Sequence, residues 1–191
     1  VAHGYSERVQ AEVGAGTRAA ADSHRLVDAL QQGRVAQTVP GLLAEAKRSH
    51  GLEFLNLLDA QGRPWASEAG LAAPGGEVQQ FAAEAGEGSS DNLAALAVLS
   101  PQQLRQIAPA LMDRVGIPIV PTLNAAPSSR REEERAMLLI ARIPVRDAQQ
   151  RLLGFVQGGL LLNRNLAFID HVNEIVYPEG ALPAGSKGTA T

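Results

Sequence analysis

The chain has 191 residues, is 45% hydrophobic, and contains no cysteine, one Trp, two Tyr and four Phe. That length fits one domain, alone or with flanking segments, and it allows a real core without disulfides. The missing cysteine excludes disulfide frameworks, CxxC redox sites, thiolate zinc sites and a cysteine nucleophile, while a net charge of −3, from 17 basic and 20 acidic residues, offers no basic surface for nucleic acid.

No stretch approaches the ~20 apolar residues that cross a bilayer. The start, Val1-Ala2-His3, has neither an initiator methionine nor a charged-then-apolar leader, so a piece excised from a longer protein is expected. Residues 5–33 read as one long amphipathic helix, with Val9, Val13, Ala20, Val27 and Leu30 near a 3.6-residue period. Gly14 and Gly16 each weaken it by about 1 kcal/mol relative to alanine, and Gly33 is a natural stop. A second helix is predicted from about Pro40 to Ser49, burying Leu42, Leu43 and Ala46 and ending at Gly51.

Two extended runs follow, Phe54 to Leu58 and Arg63 to Ser67, joined by Asp59-Ala60-Gln61-Gly62. That is the signature of a β-hairpin. Residues 69–92 read as loop, with a turn of helix around 78–85. Ser100-Pro101 opens a helix as N-cap and first residue, with Leu104, Ile107, Leu111 and Val115 on its buried face and a kink or division at Pro109. Prolines 118, 121 and 127 punctuate an irregular connection, and residues 128–135 form a charged bend. Runs 136–145 and 152–162 then echo the first hairpin, again with aspartate after the apolar run and arginine before the next strand. Asn163 or Asn165 can cap a last helix, lined by Leu166, Ile169, Val172 and Val176 and stopped by Pro178, before a linker-like tail. Hairpins beside helices, without a βαβ rhythm, define an α+β two-layer domain.

The chemistry-bearing residues form no familiar catalytic set. His3, His24, His50 and His171 lie outside any HExxH or HxH spacing and read as surface or satisfied core histidines. No GxSxG or SxxK occurs. The run Glu132-Glu133-Glu134 reads as a solvated face. Gly154 to Gly159 lies within an extended run, where small residues admit a closely packed helix or ligand, and not at the strand-to-helix turn of a phosphate cradle. No metal, no cofactor and no enzymatic activity are expected of this domain.

The most specific stretch runs from Gly158 to Tyr177. Its Gly-Gly-Leu-Leu-Leu-Asn-Arg-Asn start, with Asp170 in the following apolar helix, resembles the closing strand and helix of Cache-type extracytoplasmic sensor domains of bacterial histidine kinases and chemoreceptors. Ile143-Pro144-Val145-Arg146-Asp147 resembles the family's "PVRD" strand and turn. Leu57-Leu58-Asp59-Ala60-Gln61-Gly62-Arg63 resembles its earlier "L-x-D-x-x-G-R" hairpin, and Gly188-Thr189-Ala190-Thr191 the opening of the segment that follows in double Cache members. The likeness spans roughly residues 20–191. It implies a PAS-like antiparallel sheet with a long N-terminal helix leading from a transmembrane segment, and a small ligand held between the sheet and its covering loops. It further implies a periplasmic position within an inner-membrane protein and a cytoplasmic output module in a two-component system. On this reading residues 1–50 are a helical region packing on the sensor domain, 51–177 the Cache-like α+β unit, and 178–191 a linker or the start of a following module. A homodimer through the N-terminal helix is a further expectation, since paired receptors place such helices side by side.

One departure bears on the ligand. Many relatives end the second strand of the first hairpin with arginine, followed by a polar loop ending in Gly-Asp; here the strand ends Trp65-Ala66-Ser67-Glu68 and Ala69 to Gly76 follows. Arg142, within an apolar strand, is the natural substitute cation for a small organic anion, because a buried guanidinium needs a partner; it could equally face water on a half-exposed strand. Trp65 is core or pocket wall. Asn56 and Gln157 interrupt apolar strands and either line a pocket or point outward, and Ser67 completes the candidate set. The asparagines 163 and 165 are explained by capping. The expected function is therefore an extracytoplasmic ligand-sensing domain of a histidine-kinase type receptor. The alternative is a periplasmic interaction or structural module with a degenerate, non-binding pocket.

Overall fold

The computed structural model describes residues 2–73, 94–119 and 129–165. Three helices come first: α1 (Ala2–Ala21), α2 (His24–Gln31) and α3 (Val35–Ser49). Strands β1 (Phe54–Leu58), β2 (Pro64–Ser67), β3 (Gly70–Leu71) and β4 (Ala95–Leu99) follow, then helix α4 (Pro101–Ile107) and a 3-10 turn over Pro109–Arg114. The remainder is β5 (Ile117–Pro118), β6 (Glu132–Glu133), β7 (Ala136–Arg146) and β8 (Leu152–Leu161). Six strands make one antiparallel sheet in the order β3-β2-β1-β8-β7-β4, while β5 and β6 pair separately. An antiparallel sheet with a long N-terminal helix and flanking helices is the α+β class expected from the sequence. The expected turn of helix at 78–85, the prolines 121 and 127, the helix after Asn165 and the tail lie outside the described residues.

The single helix predicted over residues 5–33 is two helices, broken at Asp22-Ser23. α1 lies against β7 and β8, whereas α2 packs on α3, and one straight rod cannot follow both surfaces. Ser23 is extended (φ −65°, ψ 118°), and its carbonyl accepts the amides of Leu26 and Val27 at 3.0 and 3.1 Å. Gly33, at φ +65°, ends α2 as expected. α3 starts five residues earlier than predicted. Burial of Val35 and Val39 stabilises its first turns, so the helix tolerates Pro40 and the hydrogen bond that its missing amide forfeits. At its end the Leu52 amide reaches back to the Lys47 carbonyl at 3.0 Å across Gly51, φ +64°.

The two hairpins are built alike down to single hydrogen bonds. In the first, Asp59 Oδ1 accepts the amides of Gln61 and Arg63 at 2.9 and 2.8 Å. In the second, Asp147 Oδ1 accepts those of Gln149 and Arg151, both at 2.9 Å. Each aspartate also receives, on its main-chain oxygen, the amide of the third residue on, Gly62 or Gln150, and both of those residues have positive φ, +81° and +63°. The register then slips by one residue beyond each turn. Leu57 faces Ala66 while Leu58 faces Pro64, and Val145 faces Gly154 while Arg146 faces Leu152, so Trp65 and Leu153 are the extra residues of matching bulges. Asp147 differs from Asp59 in being buried and in holding Arg151 Nε at 2.7 Å. Burial raises its pKa, but the hydrogen bonds from Arg151 and Gln149 outweigh this and hold the carboxyl below its ordinary value.

Strand alternation sends side chains to two cores. On one face Leu55, Leu57, Ala66, Leu139, Ala141, Ile143, Val145 and Val156 meet α1–α3 through Val13, Ala20, Leu26, Val39 and Leu43. On the other, Phe54, Leu138, Ile140 and Leu161 meet Leu104, Ile107 and Leu111 of α4 and the 3-10 turn. α4 begins as the sequence predicts, in a reciprocal capping box between Ser100 and Gln103 with Pro101 at the first helical position, and it ends before Pro109. Strand β4 is not legible in the sequence reading: it pairs along β7, leaving Leu96 and Val98 more than half exposed beside Met137. No described helix is long and apolar enough to cross a membrane.

Candidate functional site

Four of the five candidate residues fall on one line across the sheet. Asn56 of β1 pairs with Ser67 of β2 on one side and Gln157 of β8 on the other, and Gln157 pairs with Arg142 of β7. Partners in register share a face, so the row Ser67–Asn56–Gln157–Arg142 runs over four strands on the side covered by α4. Trp65 does not join it. As the bulged residue of β2 it is partly buried against the core on the α1–α3 side.

Asn56 is buried, and its Nδ2 donates to the Ile107 carbonyl at the end of α4 at 2.7 Å. That bond joins the row to the covering helix. Ser67 is half-buried, and its Oγ accepts the Ala69 amide at 3.2 Å. Arg142 is half-buried and does not stay at its own register position. Its guanidinium stacks over Phe155, 4.9 Å from the ring centre, and donates to the Gly62 carbonyl at 3.3 Å. Glycine suits position 62, where φ is +81°, and a Cβ there would also press on the tip of the Arg142 side chain, 2.6 Å from Nη2.

Gln157 is the unusual member. It is wholly buried, and neither Oε1 nor Nε2 has a hydrogen-bond partner among the described residues. Leaving one buried polar group unsatisfied costs about 1–3 kcal/mol, so a fully orphaned carboxamide at the centre of a sheet calls for a complement. On the opposite face its neighbour Gly158 lies against α1, where an added Cβ would stand 2.7 Å from Thr17 Oγ1. β8 therefore carries the polar row on one side and the contact with the N-terminal helix on the other, one residue apart.

Asn163, which the sequence reading explained by helix capping, instead joins segments distant in the chain. It is buried, donates from Nδ2 to the carbonyls of Val115 and Arg135 at 2.9 Å each, and accepts the Met137 amide on Oδ1 at 2.7 Å. Within the described residues it clamps the start of β7 to the segment after the 3-10 turn. The signal was present in the Leu-Asn-Arg-Asn run after an apolar strand, but the three partners of Asn163 are distant in sequence. Glu53 does comparable work, accepting the Leu161 amide at 2.6 Å and pairing with Arg114 at 2.5 Å.

Half-open clefts elsewhere among the described residues include two. One of about 190 Å³ lies between α1, α2 and α3 beside Leu26, Leu43 and His50. The other, of about 450 Å³, is lined by Arg105, Asp113, Glu132, Glu134 and Arg164. Its charged side chains are all exposed, in keeping with a solvated surface. No three His, Asp or Glu residues among those described come together as a metal site.

No family model matches the sequence, and no curated protein matches it. Among solved structures the chain is similar to the periplasmic domain of Vibrio cholerae LuxQ, with a TM-score of 0.45 and 14% identity. That match covers 91% of this chain and 70% of the other.

Proposed function

We propose that this chain is an extracytoplasmic ligand-sensing domain of a histidine-kinase type receptor, with the Ser67–Asn56–Gln157–Arg142 row as its ligand seat. The observation that carries the reading is Gln157, a carboxamide buried on all sides with its acceptor and its donors unmatched among the described residues. The sequence resemblance to Cache-type domains and the α+β architecture support the sensory role and the periplasmic position. A ligand acts by favouring one arrangement of sheet and helices through its differential affinity for it. Two contacts can carry that preference outward: Asn56 to the end of α4, and β8 to α1 through Gly158 and Thr17.

The test is a thermal-shift screen with a broad small-molecule library on the protein and on Gln157→Leu. A binder at a hundred times its dissociation constant adds about 2.7 kcal/mol, and the leucine variant is expected to lose that response. A library without a hit on the unaltered protein opposes the reading.

A second reading, a protein-interaction module, draws on a separate observation. Leu96 and Val98 on the outer strand β4 and Met137 opposite Val98 are 56%, 53% and 42% exposed and form one apolar patch at a sheet edge. Loss of partner binding on Val98→Lys, with no small-molecule response in the screen, would favour it.

A further inference from the structure

We infer that the seat takes a neutral molecule presenting a hydrogen-bond donor and an acceptor side by side, the edge of an amide or lactam, paired with the Gln157 carboxamide. The inference rests on the ligand-sensing reading and narrows it to a chemical class. A primary carboxamide offers one acceptor and one donor along a single edge, and its complement is the same edge reversed. Both groups of Gln157 are unmatched among the described residues, so two hydrogen bonds are available at one buried point.

The neighbours in the row exclude a charged occupant at that point. Asn56 already directs its Nδ2 to the Ile107 carbonyl. Arg142, the one charged residue of the row, has its guanidinium turned along the sheet onto Phe155 and the Gly62 carbonyl. A carboxylate against Gln157 would meet one donor and one opposing acceptor while carrying its charge into a buried site, and an ammonium would meet one acceptor and opposing N–H groups. Burial of a charge without a hydrogen-bonded counter-charge is unfavourable, whereas a neutral edge matches both groups of the carboxamide. Burial falls off along the row: Gln157 is wholly buried, Asn56 is buried, and Ser67 and Arg142 at the two ends are half-buried.

The experiment uses four small probes on the whole chain: acetamide and 2-pyrrolidinone as neutral edges, acetate (the isostere of acetamide) and methylammonium as charged counterparts. Melting temperature is followed against probe concentration for the unaltered protein, Gln157→Leu and Gln157→Glu. Acetamide and 2-pyrrolidinone are expected to raise the melting temperature of the unaltered protein in a saturable way, with the charged probes flat. Gln157→Leu is expected to abolish that rise while melting higher than the unaltered protein without any probe, since it removes the orphaned group. It also serves as the control for bulk co-solvent effects. A saturable rise with acetate and none with the amides overturns the neutral class and leaves the sensing reading standing. An equal rise in Gln157→Leu overturns the pairing with residue 157. No response to any of the four overturns the inference, and the library screen then decides the sensing reading separately. In that case a Gln157→Leu variant that melts lower than the unaltered protein removes the seat as well, because Gln157 is then a satisfied structural group.

Discussion

Thr17 of α1 rests against Gly158 of β8 so closely that a Cβ at residue 158 would lie 2.7 Å from its Oγ1. Thr17 is itself wholly buried, with its hydroxyl donated to the Val13 carbonyl at 2.8 Å. The helix thus seats on a strand made bare by glycine, and the same strand turns Gln157 to the opposite face.

This contact gives the first prediction. Gly158→Ala forces Thr17, Leu55 and Leu52 aside and is expected to destabilise the fold by about 1–3 kcal/mol. Thr17→Ala should soften that loss, so the double mutant is more stable than the two single effects summed. Urea denaturation of the four proteins measures the coupling, and strict additivity would remove the contact as the cause.

The matched hairpins predict opposite effects of glycine and alanine at equivalent places. Gln150 holds φ +63° with a side chain, where glycine stands in the first hairpin. A left-handed L-residue costs roughly 1–2 kcal/mol, partly offset by the greater freedom of glycine in the unfolded chain. Gln150→Gly should therefore stabilise by about 0.5–1 kcal/mol. Gly62→Ala should destabilise by more than that, because it both strains the turn and displaces Arg142 from the Gly62 carbonyl. The order of denaturation midpoints, Gln150→Gly above the parent and Gly62→Ala below it, is the check.

Acid should act through Asp147 and Glu133. Burial raises the Asp147 pKa, but hydrogen bonds from Arg151 and Gln149 win and lower it overall. Glu133 is held well below the usual carboxylate range, chiefly by the Arg135 side chain and amide. A carboxyl with a depressed folded-state pKa adds stability that is fully present above its unfolded value, about 4, and is lost as pH falls through the folded one. Melting temperature should accordingly be flat near neutrality and fall below about pH 4. Asp147→Asn keeps the turn geometry, removes one of the two titrations and makes the decline shallower. An unchanged acid limb would show that Asp147 does not contribute to it.

Asn163→Ala leaves the Met137 amide and the carbonyls of Val115 and Arg135 without their shared partner. At about 1 kcal/mol or more for each bond left unmade, the loss should be near 3 kcal/mol. Since Asn163 lies outside the polar row, saturable probe binding should persist at temperatures where the variant is folded. Loss of binding in a fully folded Asn163→Ala protein would place the residue in the seat.

Local chemistry determined much of this protein in the sequence itself. The Asp-Ala-Gln turns, the Ser100-Pro101 helix start, the stops at Gly33 and Gly51 and the α+β order were legible because each rests on residues within a few positions of one another. The break at Ser23 and the early start of α3 were not, because distant surfaces decide them: the sheet beneath α1, and the burial of Val35 and Val39. Strand β4 was hidden for a similar reason, since an outer strand with exposed leucine and valine lacks the alternation that marks a half-buried one. The cysteine-free, aromatic-poor composition excluded several chemistries without showing what remained. Asn56, Ser67, Gln157 and Arg142 could be named from sequence as polar interruptions of apolar strands. Only the register of four strands brought them into one row, moved Trp65 to the other face and buried Gln157 with its hydrogen bonds unmatched. Pairing between strands as distant as those of Phe54 and Gly159 is set by the packing of the whole sheet, which no local pattern encodes.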